Sequence, residues 1–178
     1  MRKFLATLVA FLLLAPAAAE ARTYGATTLQ LDPGAVAALT GLGVTPAPIA
    51  PATATSGGEL AFPITNKPLG ALFSGTIRHS GGISLTAGAT TVSLETFYID
   101  PLRRQLTALV GGARVPILNL DFGSARVSLS KGTLKLGPVG GTLTPVAASA
   151  LDGAFGLAPG TIPPGLKLGD ATVRYRLF

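Results

Sequence analysis

Glycine and proline limit what this chain can become. It holds 23 Gly and 14 Pro in 178 residues, and both interrupt helices, proline because it lacks an amide donor and glycine because of its conformational freedom. Coiled coils and helical bundles are excluded. Four glycine pairs, Gly57-Gly58, Gly81-Gly82, Gly111-Gly112 and Gly140-Gly141, read as turns, because hairpin turns need positive φ and glycine has no Cβ to clash there. Around them the pattern predicts strands over residues 27–31, 59–65, 73–79, 83–87, 90–100, 105–110, 114–120, 126–130, 133–136 and 170–178. In Thr91-Val-Ser-Leu-Glu-Thr-Phe-Tyr-Ile-Asp100, Val92 and Leu94 share one parity, but Phe97-Tyr98-Ile99 breaks it, as a bulge or burial on two faces would. Pro63 and Pro116 place their strands at edges or bulges. The fold expected is all-β with two short helices, an antiparallel β-sandwich or partly open barrel of about ten short strands.

Two helix signals stand out. Asp32-Pro33 supplies a capping carboxylate and a first-turn proline ahead of Ala35 to Leu39, with Gly41 or Gly43 as the stop. Thr144-Pro145 repeats the order ahead of Val146 to Leu151 and Gly153. Leu31-Asp-Pro-Gly-Ala-Val-Ala-Ala-Leu39 aligns without a gap on Leu143-Thr-Pro-Val-Ala-Ala-Ser-Ala-Leu151. One strand-then-helix unit used twice suggests pseudo-symmetric caps at opposite ends or edges of one sheet system.

Residues 1–21 read as a cleaved secretory signal, leaving 22–178 as a single β-rich domain. Arg2 and Lys3 precede an apolar run from Phe4 to Leu14, and Ala15 to Ala21 offers small residues for cleavage. That run is too short to span a bilayer, which takes about 20 apolar residues. The expected location is outside the cell or in the periplasm or envelope, with no transmembrane segment in the mature chain. The mature chain keeps twelve basic and seven acidic residues, a formal net charge of +5. The basic residues are scattered and Arg103-Arg104 is their one adjacent pair. Nucleic-acid binding has no pattern behind it; the modest excess reads first as solubility and second as attraction to an anionic envelope surface.

Chemistry has few candidates. The absence of Cys removes disulfides, thiol nucleophiles, thiolate zinc sites and iron–sulfur clusters. His79 is the sole histidine and Ser80 is not in a G-x-S-x-G elbow, so a serine triad has no support. Asp32, Asp100, Asp121, Asp152 and Asp170 stand where turns and helix caps use carboxylates. No enzymatic activity is expected. The most specific local feature is Gly75-Thr-Ile-Arg-His-Ser-Gly-Gly82, which places His79 near a sheet edge, partly wet, beside a glycine corner.

The stretch Phe62 to Leu120 resembles a known family. Phe62-Pro-Ile-Thr65, Gly75-Thr-Ile-Arg-His-Ser-Gly-Gly82, Thr91-Val-Ser-Leu94, Phe97-Tyr-Ile-Asp100 and Leu106-Thr-Ala-Leu-Val110 are similar to the Htaa-type domain of secreted and surface bacterial proteins. The resemblance implies a β-rich domain in which a tyrosinate ligates haem iron and a histidine of the G-x-x-x-H-x-G segment hydrogen-bonds to it. His79 matches that histidine. Tyr24, in Arg22-Thr-Tyr-Gly25, matches the ligand tyrosine by position only, and the family's Trp-Gly opening is absent. Tyr24 and His79 are thus the haem-binding candidates, Tyr24 as the metal ligand, with Arg78 or Arg103 as partners for the propionates. Tyr98 and Tyr175 are read as packing residues. The implied function is non-enzymatic capture or relay of haem, taken free or from a haem-carrying protein at the cell surface. The residues themselves leave a second reading open, an envelope structural or adhesive β module that binds polymer, lipid or protein without a cofactor.

Overall fold

A computed structural model describes residues 22–67 and 75–177. Residues 1–21, expected as a secretory signal, and the first residues of the strand expected at 73–79 lie outside the described residues. The elements run β1 (Gly25–Leu31), α1 (Pro33–Gly41), β2 (Val44–Ile49), β3 (Thr53–Ala54), β4 (Leu60–Pro63), β5 (Ile77–Arg78) and β6 (Gly82–Ala87). They continue with β7 (Thr90–Asp100), β8 (Gln105–Val110), β9 (Ala113–Asp121), β10 (Arg126–Ser130), β11 (Thr133–Leu143), α2 (Pro145–Ala154) and β12 (Lys167–Arg176). The fold is all-β with two short helices, and the sheet curls into a nearly closed antiparallel barrel.

The wall runs β7-β8-β9-β11-β12-β1-β4. It closes where Ile64, just past β4, bridges His79, just past β5, and β5 pairs with β7. β6 and β2 extend the other half of β7, and β3 lies beside β4. β10 resumes the path of β9 along β11: Leu118 to Asp121 face Leu143 to Gly140, and Arg126 to Ser130 face Gly137 to Thr133.

Alternation sorts side chains between the inside and the outside of the wall. Val173 and Tyr175 are buried while Arg174 and Arg176 are exposed, so the last strand has the one apolar face its parity implies. A barrel set in lipid carries the reverse pattern. Among the described residues no helix is long and apolar enough to cross a membrane. β7 contains the bulge that its broken alternation implies. Leu94 is buried before it, Phe97 and Ile99 after it, and the parity flips at Thr96, which has φ +47° and marks a register shift against β8. Pro116 adjoins the bulge between β8 and β9, and Pro63 ends its strand.

Both helices begin as expected, with Asp32 Oδ1 accepting from the Gly34 amide and Thr144 Oγ1 accepting from the Ala147 amide. Two expectations fail. The helices do not cap opposite ends: β1 and β11 run parallel on either side of β12, and the Asp32 and Leu143 amides donate to Leu168 and Leu166, so α1 and α2 leave from the same end. Gly140-Gly141 is no turn but lies inside β11, which continues from Thr133 to Leu143. There a Cβ on Gly141 would stand 3.0 Å from Leu118 Cδ1, so the glycine admits a neighbouring leucine to the core.

Candidate functional site

His79 follows the two residues of β5 and faces inward, opposite in parity to Arg78. It is 3% exposed, so the partly wet edge position is overturned. The glycine corner beside it is occupied: a Cβ on Gly81, whose φ is +77°, would stand 2.5 Å from the Ala52 amide nitrogen. The turn between β2 and β3 fills that corner.

Both ring nitrogens of His79 are engaged. Nδ1 lies 3.1 Å from the Phe97 carbonyl, which can only accept, so Nδ1 carries the proton and donates. Nε2 is then the acceptor for the Thr27 hydroxyl at 2.7 Å. Burial outweighs the Phe97 hydrogen bond and lowers the pKa from 6.5 to about 4, so the ring is neutral at pH 7. The His79 main-chain amide also donates to Phe97 O, at 2.9 Å. One residue therefore ties β7, just past its bulge, to β1 across the line of barrel closure.

The interior beside Thr27 and His79 is apolar, walled by Phe62, Ile77, Phe97, Leu136 and Val173, and leaves about 90 Å³. Small-molecule pockets span roughly 300–1,000 Å³.

Tyr24 is anchored by its main chain: its amide donates to Ile64 O and its carbonyl accepts from the Arg176 amide. Its ring stacks on that of Tyr175 with centroids 6.4 Å apart, under the Lys67 ammonium at 5.5 Å. Tyr175 is 2% exposed, and burial, then the neighbouring Tyr24, raises its pKa. β4 runs between Tyr24 and His79, and no hydrogen bond joins the two side chains among the described residues. Tyr98 lies between the guanidinium groups of Arg78, at 5.2 Å, and Arg114, at 3.8 Å, on the outer face. Arg103 extends into solvent, 81% exposed, and meets Asp100 at 3.6 Å. Arg78 outside the wall and His79 inside it cannot serve one haem. With a small interior and an imidazole already bonded twice, these residues do not fit haem as the resemblance implies.

Most aspartates do turn and cap work. Asp100 accepts from the Arg103 amide and Asp121 from that of Gly123, while buried Asp152 holds the loop after α2 through the amides of Gly160 and Ile162. Asp170 instead pairs with Lys167 at 2.8 Å.

Register assembles what the sequence scatters. Lys135 on β11 directly faces Arg174 on β12, and Arg176 faces Thr133 two positions on. Arg126 on β10 shares their outer face by parity. All four are exposed. Like charges directly opposed across strands repel, and the ion pairs among the described residues, Arg103–Asp100 and Lys167–Asp170, lie elsewhere. Beside this row is a depression of about 450 Å³ lined by Arg174, Arg176, Thr23, Thr53 and Thr133. The polar parity of Arg174 and Arg176 was its one sequence signal, because the strands that bring in Lys135 and Arg126 are paired only by the fold.

No known family model matches the chain, and no curated protein shows significant similarity to it.

Proposed function

We propose that this chain is a non-enzymatic module, exported to the cell envelope, that works through its outer surface and holds an anionic polymer against the face formed by Arg126, Lys135, Arg174 and Arg176. The observation that carries this reading is the uncompensated pair Lys135–Arg174. A repulsive cross-strand contact on an exposed face lowers stability, and a polyanion laid along it converts the repulsion into binding. Arginine forks and the threonine hydroxyls of the neighbouring depression suit phosphate or carboxylate oxygens. The small cavity beside His79 and the fully bonded imidazole favour the outer surface over this cavity as the place of action.

The test is binding of a long-chain polyphosphate probe. Affinity should fall as salt rises and drop about tenfold or more, equivalent to 1.4 kcal/mol, in Lys135→Glu/Arg174→Glu. Unchanged affinity in that variant overturns the proposal. Ferric haem is titrated in parallel. A sharp Soret band that collapses in Tyr24→Phe would replace this reading with haem capture, and the absence of a spectral change at equimolar haem is the result expected.

A further inference from the structure

β10 is an open edge of the sheet. Within the described residues its sole strand partner is β11. All five of its residues are exposed, with Val127 at 59% and Leu129 at 62%. The tight turn at Lys131-Gly132, with φ of +46° and +71°, makes Ser130 and Thr133 a hydrogen-bonded pair. By alternation Ser128 and Arg126 also bond to β11. The amides and carbonyls of Val127 and Leu129 therefore point away from the sheet, and no other backbone bond among the described residues uses them.

We propose that two copies of this chain pair edge to edge through β10, antiparallel, about a two-fold axis at Ser128. One register satisfies the edge. Val127 meets Leu129 of the second copy as a hydrogen-bonded pair, and the symmetry repeats it, giving four new backbone bonds. Leu134 and Leu136 lie across β11 from Leu129 and Val127 on the same face. Pairing thus creates an unbroken apolar row: Leu134, Leu129, then Val127 and Leu136 of the second copy. On the opposite face Arg126 meets Ser130 of the second copy, so no like charges are directly opposed. A one-residue slip would put Val127 against a serine and leave the outward amides out of step. This pairing does not rest on the polyanion reading, although it would join the two basic faces into one.

The chain has no cysteine, so single cysteines report the contact without background. Ser128 faces its own copy as a non-hydrogen-bonded pair, with Cα atoms about 4.5 Å apart, within disulfide reach. Ser130, equally exposed, is four positions out of register with its own copy, roughly 13 Å along the strand. The expected results are a concentration-dependent dimer in sedimentation velocity, a disulfide-linked dimer for Ser128→Cys and none for Ser130→Cys. Val127→Lys/Leu129→Lys, which opposes lysines across the axis, should be monomeric, with a thermal midpoint that no longer depends on protein concentration. A protein monomeric at every accessible concentration, equal cross-linking at both positions, or a dimer that survives the double lysine variant would each overturn the proposal.

Discussion

Acid should loosen the barrel through His79 in a way that can be isolated. The ring is neutral and buried, with a folded-state pKa of about 4 against 6.5 for the exposed side chain. Between those values the unfolded chain binds a proton that the folded one refuses, so stability rises with pH across that window. The contribution is fully present above pH 6.5, declines as the pH falls, and levels off below about 4. A shift of this size corresponds to about 3 kcal/mol, at 1.36 kcal/mol per pH unit. Protonation would also force Nε2 to become a donor facing the Thr27 hydroxyl, which must then turn to accept. The assay is urea unfolding at a series of pH values for the native protein and for His79→Gln, which has nothing to titrate at that position but can still donate to Phe97 O. Carboxylates titrate in both proteins and cancel in the difference. The native protein should lose about 3 kcal/mol more than the variant between pH 7 and pH 4, although the variant starts out less stable. Parallel curves would refute both the burial of the ring and the clasp assigned to it.

Two further outcomes test the fold. Gly169→Ala should cost on the order of 3 kcal/mol in urea unfolding, because φ is +157° and a Cβ would overlap the Gln30 carbonyl, whereas Gly160→Ala, at φ +84° in open space, should cost about 1–2 kcal/mol. The helix caps should differ as well: Asp32→Ala should lose about 1 kcal/mol, and Thr144→Ala about 2–3 kcal/mol, because Thr144 is 4% exposed and its hydroxyl also donates to Pro116 O at 2.7 Å.

Local rules carried much of this fold. Both helix starts were legible because a capping oxygen followed by proline is a local arrangement, and the Thr96 bulge was legible because it shifts the inward parity within one strand. β2 lies outside the strands that the pattern predicts, and Pro46 and Pro48 lack the amides of a central strand. It is the last strand on its side of the sheet, so two missing amides are tolerated. Gly140-Gly141 was misread because a glycine pair serves a turn and a close approach equally well, and what decides is Leu118, a residue more than 20 positions away. The site was harder to read for the same reason. Nothing local to Gly75-Thr-Ile-Arg-His-Ser-Gly-Gly82 states that Ala52 will fill the glycine corner or that Thr27 will cover Nε2.

Why a histidine occupies the seam follows from the bulge. An extra residue at Thr96 steps β7 out of phase, so the ladder on one side of it belongs to β6 and on the other to the two residues of β5. Phe97 O emerges at that break, where regular pairing is interrupted. His79 reaches it with both its main-chain amide and Nδ1, and the same ring then needs a donor for Nε2, which Thr27 supplies from β1. A leucine here would fill the space but would leave the Thr27 hydroxyl buried without a partner and Phe97 O with one bond fewer. The imidazole thus offers a donor and an acceptor on opposite sides of one ring, which is what a seam between two strands requires. A ring committed in this way has no lone pair left for a ligand.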